Sequence, residues 1–197
     1  MMFKVKFMKD IIKECFEDSI DTKRFVMDNL TDEIELCAKI MIDALKKGNK
    51  ILVCGNGGSA GDTQHFVAEL IVRFEKERIS LPAIALTTDT SIITACGNDF
   101  GYDRIFERQI EGLGREGDVL VGITTSGNSM SIIKGFEAAR KIGMKMICLN
   151  GKDGGKISKM NLGLDVDLKI PSKNTARIQE SHITIIHIWC KLIDMAF

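Results

Sequence analysis

Two hydrophobic rhythms divide the chain. From residue 50 onward, short apolar runs at 50–54, 83–87, 118–123, 145–149 and 164–169 alternate with longer segments near 59–73, across 90–113, at 129–142 and from 175 to 196. The runs predict strands buried on both faces, and the three-to-four-residue recurrence in the longer segments predicts amphipathic helices. Their alternation gives an α/β fold, a three-layer αβα sandwich on a central, mainly parallel five-stranded sheet wound right-handedly. Ahead of it, Asp10 to Lys47 reads as one long or two shorter helices, with Ile11, Ile12, Cys15, Phe16 and then Ile34, Leu36, Cys37, Ile40, Met41 and Leu45 on apolar faces until Gly48 stops the run. The sheet has helices of its own to cover it, so these surplus stripes are expected to bury against another subunit. No Pro/Gly/Ser-rich linker interrupts the chain, so 1–197 is read as one domain, with oligomerising helices over 1–48 and the α/β core over 49–197.

Two of the strands end in glycine and hydroxyls. Ile51-Leu52-Val53-Cys54 empties into Gly55-Asn56-Gly57-Gly58-Ser59-Ala60-Gly61-Asp62, and Val119-Leu120-Val121-Gly122-Ile123 into Thr124-Thr125-Ser126-Gly127-Asn128-Ser129, each directly before a helix. Glycine lets backbone approach a ligand closely, and the first helical turn offers unpaired N–H groups at the positive end of its dipole, so such turns hold anions. Ser129 is placed to be an N-cap. Ligands of parallel sheets bind at strand carboxyl ends, and two such loops imply one shared site for a phosphate or polyol. The first loop lacks the G-x-G-x-x-G register, no acidic residue ends the 83–87 strand, and no P-loop lysine is present, which argues against a nucleotide cofactor. Asn150-Gly151-Lys152-Asp153-Gly154-Gly155-Lys156 reads as a mobile turn near the same edge.

Composition narrows the ligand class. The 27 basic and 27 acidic residues balance, so no net field draws the protein to nucleic acid or an anionic membrane, and a compact metabolite is the natural ligand. No apolar run reaches the ~20 residues of a bilayer span, and Met1-Met2-Phe3-Lys4-Val5-Lys6-Phe7 lacks a signal-peptide core, which gives a cytoplasmic expectation. The six cysteines are widely spaced with no C-x-x-C pair, as reduced, buried thiols would be.

The candidate chemistry lies on two helices. His65 and Glu69, four apart with Gln64 and Asp62 nearby, share one helix face. They read either as a solvated ion pair or, beside an anion-binding loop, as a metal-chelating or acid/base pair. The last helix carries Arg177, Gln179, Glu180, His182 and His187, and a histidine among isoleucines such as His187 is either a hydrogen-bonded core residue or a ligand. Gln179 and His187 differ by eight residues, roughly 12 Å of helical rise, too far to share one metal within a straight helix. If both serve one site, either the helix begins late or a neighbouring chain supplies one of them. Asn98 and Asp99 serve equally as turn formers or as polyol ligands.

Taken together, Gly55-Asn56-Gly57-Gly58-Ser59, Gln64-His65-Phe66-Val67-Ala68-Glu69-Leu70, Gly97-Asn98-Asp99-Phe100-Gly101, Thr125-Ser126-Gly127-Asn128-Ser129, Gly151-Lys152-Asp153-Gly154-Gly155 and Arg177-Ile178-Gln179-Glu180-Ser181-His182 resemble the bacterial sedoheptulose 7-phosphate isomerases, or phosphoheptose isomerases. These form the single-domain branch of the flavodoxin-like sugar isomerase (SIS) fold, and the resemblance covers nearly the whole chain. It implies conversion of sedoheptulose 7-phosphate to D-glycero-D-manno-heptose 7-phosphate through an enediol, as the first step of ADP/GDP-heptose biosynthesis for lipopolysaccharide and other surface glycans. It also implies a homotetramer with active sites between subunits. Carried over by position, Glu69 and His187 are the acid/base pair. Asn56, Gly57, Gly58, Ser59, Glu69, Asn98, Asp99 and Gln179 bind sugar, and Thr124, Thr125, Ser126 and Ser129 hold phosphate. His65, Glu69, Gln179 and His187 are the ligands of one zinc ion per subunit. A zinc-bound glutamate is a poorer base, so its coordination loosens during turnover or the metal is mainly structural. Thr124 and Thr125 stand where many relatives read Ser-Thr, and both keep a hydroxyl. The alternative reading, a tetrameric SIS-fold protein that binds a replication initiator, has no need of His65, Glu69 and His187 together.

Overall fold

The computed structural model describes residues 2–197, with side-chain burial from Phe7 onward; the Met1 to Lys6 side chains, part of the stretch read for a signal-peptide core, lie outside it. Five strands, β1 (Ile51–Gly55), β2 (Ala83–Ala85), β3 (Val119–Ile123), β4 (Lys145–Gly151) and β5 (Val166–Ile170), form one sheet in the order β2-β1-β3-β4-β5. Every pairing is parallel, so the mainly parallel expectation becomes wholly parallel. The helices are α1 (Met2–Asn29), α2 (Thr31–Lys46), α3 (Gly58–Ile71), α4 (Thr90–Phe100), α5 (Ile105–Leu113), α6 (Met130–Ile142), α7 (Gly155–Lys159) and α8 (Thr175–Ala196), with a 3₁₀ turn at Tyr102–Arg104.

Alternate strand positions feed two core layers. Ile51, Val53, Val119, Val121, Ile147, Leu149 and Leu168 pack with α2, α3 and α8 around the buried Trp189, whose indole N–H donates to the Ile34 carbonyl at 3.1 Å. Leu52, Cys54, Leu120, Met146 and Cys148 face α5 and α6, where the Phe136 ring lies against Gly122 in space a side chain there would fill. Short polar devices set the helix ends: Asp89 accepts from Ile92 N–H at 2.9 Å, Asn174 from Ala176 N–H at 3.0 Å, and Gly143 closes α6 in the left-handed region at φ 84°.

The N-terminal segment is two helices broken at Leu30, and the first starts well before Asp10. Cys37, Met41 and Leu45 of α2 join the core, whereas α1 leaves Phe7, Met8, Ile11, Ile12, Phe16, Ile20 and Met27 exposed. Among the described residues no helix is long and apolar enough to cross a membrane. All six cysteines are free; five are buried, and Cys15 is exposed on α1. Burial pushes the Cys37, Cys54 and Cys190 thiols up to about 12.

Because β1 and β3 are neighbours and the chain leaves them toward opposite edges, the loops that follow them part at the carboxyl edge and open a crevice.

Candidate active site

The two glycine loops meet in that crevice. Asn56 and Ser59 from the first, Thr124, Thr125, Ser126 and Ser129 from the second, and Gln179 from the start of α8 line a cavity of about 160 Å³. A Cβ at Gly55 would collide with the Ser59 carbonyl, so glycine there is what lets the first turn of α3 close on the loop, and the Gln179 amide of α8 occupies the space a Cβ at Gly58 would take. Thr124 Oγ1 accepts from Gly127 N–H at 3.2 Å, and Ser126 Oγ from Asn128 N–H at 3.3 Å, which curls the second loop. Ser129 holds the N-cap position of α6 but its hydroxyl makes no capping bond; it accepts from Asn56 Nδ2 at 2.8 Å. No side chain caps the N-termini of α3 and α6, which leaves both dipole ends to an anion.

The turn expected to be mobile is tied down. Asn150, fully buried, donates to Gly154 O at 3.2 Å and to Asp167 Oδ1 at 2.9 Å, and Gly127 packs so closely on the Gly154 carbonyl that a Cβ would overlap it. The short α7 after this turn carries no sequence signal of its own.

A second cluster lies along α3 and α8. His65 Nε2 is 3.0 Å from Glu69 Oε1 and 3.2 Å from His187 Nε2, the two imidazoles meet edge to face, and Phe74 stacks on His187 with centroids 5.5 Å apart. Of the two readings of His187, ligand or satisfied core residue, neither is complete: the ring is partly buried, with His65 at its Nε2 and Phe74 against its face. His182 is the core histidine; fully buried, its Nε2 lies 2.9 Å from the Asn150 carbonyl, and burial lowers its pKa to about 4. Burial likewise pushes the Asp62 carboxyl up, opposed by His65.

Gln179 does not join this cluster. Helix α8 runs unbroken from Thr175, so Gln179, beside Gly58, stays roughly 12 Å of rise from His187, beside His65. The late-starting helix is thereby removed as an explanation. His65, Glu69 and His187 suit zinc in type, and 3.0–3.2 Å contacts match the ~3.3 Å edges of a tetrahedron with ~2.0 Å bonds. Yet among the described residues no three His, Cys, Asp or Glu side chains already converge as a metal site, so this chain alone offers a partial donor set.

Asn98 and Asp99 form the last turn of α4, exposed, with Asn98 Nδ2 donating to Asp99 Oδ1 at 2.8 Å; Gly57 is open to solvent. Three contributors carry no sequence signal. Tyr102 donates to Asn56 Oδ1 at 2.8 Å, Ser131 accepts from Asn56 Nδ2 at 3.0 Å, and Arg78 donates through NH2 to the Glu69 carbonyl at 2.8 Å. Asp62 Oδ2, on α3, and Thr87 Oγ1, just beyond β2, are buried without a partner.

A wholly parallel five-stranded sheet with paired glycine-and-hydroxyl loops at its switch point is a frame that many doubly wound α/β proteins share, and the SIS domain pattern, which matches residues 15–151, assigns this chain to the SIS-domain family. The phosphoheptose isomerase of Shewanella loihica is 54% identical over 187 residues, 95% of this chain and 95% of its own length. Solved phosphoheptose isomerases from Neisseria gonorrhoeae (TM-score 0.88, 44% identity, 95% of this chain and 99% of that one) and Francisella tularensis (TM-score 0.90, 44% identity, 94% and 97%) share the fold. The chain belongs to the phosphoheptose isomerase group of the SIS-domain family and is a phosphosugar isomerase.

Proposed function

We propose that the protein interconverts sedoheptulose 7-phosphate and D-glycero-D-manno-heptose 7-phosphate, with Glu69 and His187 as the acid/base pair. The observation that carries this reading is the row that His65 makes by lying 3.0 Å from Glu69 Oε1 and 3.2 Å from His187 Nε2. Ketose-to-aldose conversion moves a proton from C1 to C2 while the carbonyl passes from C2 to C1, so it needs a base for carbon-bound hydrogen and a second group for the oxygens. Glu69 takes the C1 proton as His187 protonates O2, giving the enediol. Glu69 then returns its proton to C2 while His187 accepts the O1 proton. Thr124, Thr125, Ser126 and Ser129, with the uncapped α6 N-terminus, hold the phosphate, and Asn56, Gly57, Gly58, Ser59, Asn98 and Asp99 serve the polyol.

The working site is shared between copies. Gln179 lines the phosphate cavity of its own chain, so a second copy that brings its Gln179 to this chain's His65, Glu69 and His187 brings its phosphate cavity as well. The open apolar stripe of α1, and the groove of about 630 Å³ that α1 forms with α2 and α8 around Val26, Ile34, Ile185, Ile188 and Leu192, support burial of this face in a homotetramer. His65, Glu69 and His187 with Gln179 of another copy would hold one zinc ion. When bound, it would polarise the carbonyl and stabilise negative charge on the enediol oxygens. In this reading the reaction is the first step toward ADP/GDP-heptose and takes place in the cytoplasm.

The direct test is to follow aldose formation from sedoheptulose 7-phosphate by the purified protein, with and without a chelator and added zinc. Aldose formation that falls on chelation and returns with zinc supports the reading, and no aldose under any condition sinks it.

A further inference from the structure

Asn56 makes three hydrogen bonds, and their directions form a chain. Its Oδ1 accepts from the Tyr102 hydroxyl at 2.8 Å, and its Nδ2 donates to Ser129 Oγ at 2.8 Å and Ser131 Oγ at 3.0 Å. The two serine oxygens are 3.3 Å apart; Ser131 is buried, whereas Ser129 lines the cavity. Each serine oxygen already receives an amide N–H and so keeps its own proton to give. Rotating the Asn56 amide by half a turn would reverse this: both hydroxyls would spend their protons on Oδ1, and Ser129 would turn lone pairs toward the cavity, the wrong polarity for an anion.

We propose that Tyr102 is a positioning residue for the phosphate end of the site, setting the Asn56 amide so that Ser129 presents its proton to the phosphate monoester. A phenol is more acidic than an aliphatic hydroxyl, hence a better donor and a poorer acceptor, and it holds the amide oxygen on its own side. Donation then runs one way, from Tyr102 to Asn56 to Ser129 to phosphate, and such chains reinforce themselves. Packing does not explain the residue. Tyr102 is the chain's one tyrosine, the residue is 57% exposed, and it starts a 3₁₀ turn just after Gly101, which is held at φ 87°. The proposal rests on the reading that the Ser129 loop holds the phosphate.

The test uses the full-length zinc-supplemented protein, with steady-state kinetics on sedoheptulose 7-phosphate and inhibition by inorganic phosphate. Tyr102→Phe should raise KM by about 5- to 20-fold, with kcat changed less than about twofold, and weaken phosphate inhibition by the same factor. The melting temperature should stay unchanged, because the residue is exposed. Ser129→Ala should raise KM as well, and adding Tyr102→Phe to it should do little more, because the chain of donors is already cut. Tyr102→Phe without effect beside an impaired Ser129→Ala, or two penalties that multiply, overturns the role of Tyr102 alone. If Ser129→Ala leaves both KM and phosphate inhibition untouched, the placement of the phosphate fails and the proposal with it.

Discussion

His65 and His187 are separated by 122 positions in the chain, and their Nε2 atoms are 3.2 Å apart. Only the side-by-side packing of α3 and α8 brings this about, and the same packing sets Gln179 against Gly58 about two turns away. The His65–Glu69–His187 cluster and the cavity between the two glycine loops are therefore at different levels of one helix pair.

A shared site predicts complementation. His187→Ala and Gln179→Ala should each be nearly inactive as homo-oligomers. Co-expressed, or mixed and reassembled, they should form some sites with an intact His187 from one chain and an intact Gln179 from the other, restoring about a quarter of wild-type activity with random pairing. Mixed assemblies as inactive as the parents would place both residues of a site in one chain.

The segment after α3 should govern the stability of the fold. Asp194 accepts from the backbone N–H groups of Glu75 and Lys76 at 2.9 and 3.0 Å and from Arg78 Nε at 2.7 Å. Arg78 in turn donates to the carbonyls of Leu70 and Glu69 at the end of α3. Both side chains of the pair are buried, and breaking such a pair costs about 3–5 kcal/mol because a charge is left unpaired. Asp194→Ala should lower the melting temperature by roughly 6–20 °C in scanning calorimetry. Near-wild-type melting would show that the clamp is dispensable.

Acid should weaken the fold through His182. Its folded pKa of about 4 lies below the unfolded value of 6.5, so between these values the unfolded chain binds more protons. The stability associated with the neutral, buried ring is complete above pH 6.5 and is lost progressively as pH falls toward 4, in all about 3 kcal/mol. Denaturant titrations of the wild type and of His182→Gln should converge in pH dependence above pH 7 and diverge below 6. Parallel curves down to pH 4.5 would remove His182 as the cause.

Much of this fold is legible from pattern. The five apolar runs locate the strands because a strand covered on both faces has no polar side to show, and Gly55 and Gly127 mark the loops because close backbone contacts leave no room there for a side chain. The eight-residue interval from Gln179 to His187 already sets the two apart on a straight helix, and only the unbroken course of α8 removes a late helix start as the way to bring them together. What escapes sequence is contact between distant segments. Tyr102 reaches Asn56 across 46 residues, and Arg78 meets Asp194 across 116, with no periodicity to announce either. The fixed turn at Asn150 is missed for a related reason, since its glycines suggest freedom while the bonds that hold it come from Asp167 and the Gly127 loop.

The central claim is that Glu69 moves the carbon-bound proton. It is tested most directly by proton NMR of sedoheptulose 7-phosphate incubated in D₂O with wild-type protein and with Glu69→Gln, an amide of nearly the same size that cannot take the proton. The wild type should form the aldose 7-phosphate, and Glu69→Gln should be slower by about 10² or more with its melting temperature within a few degrees. Aldose formation at comparable rates by both proteins, or by neither, would contradict the account.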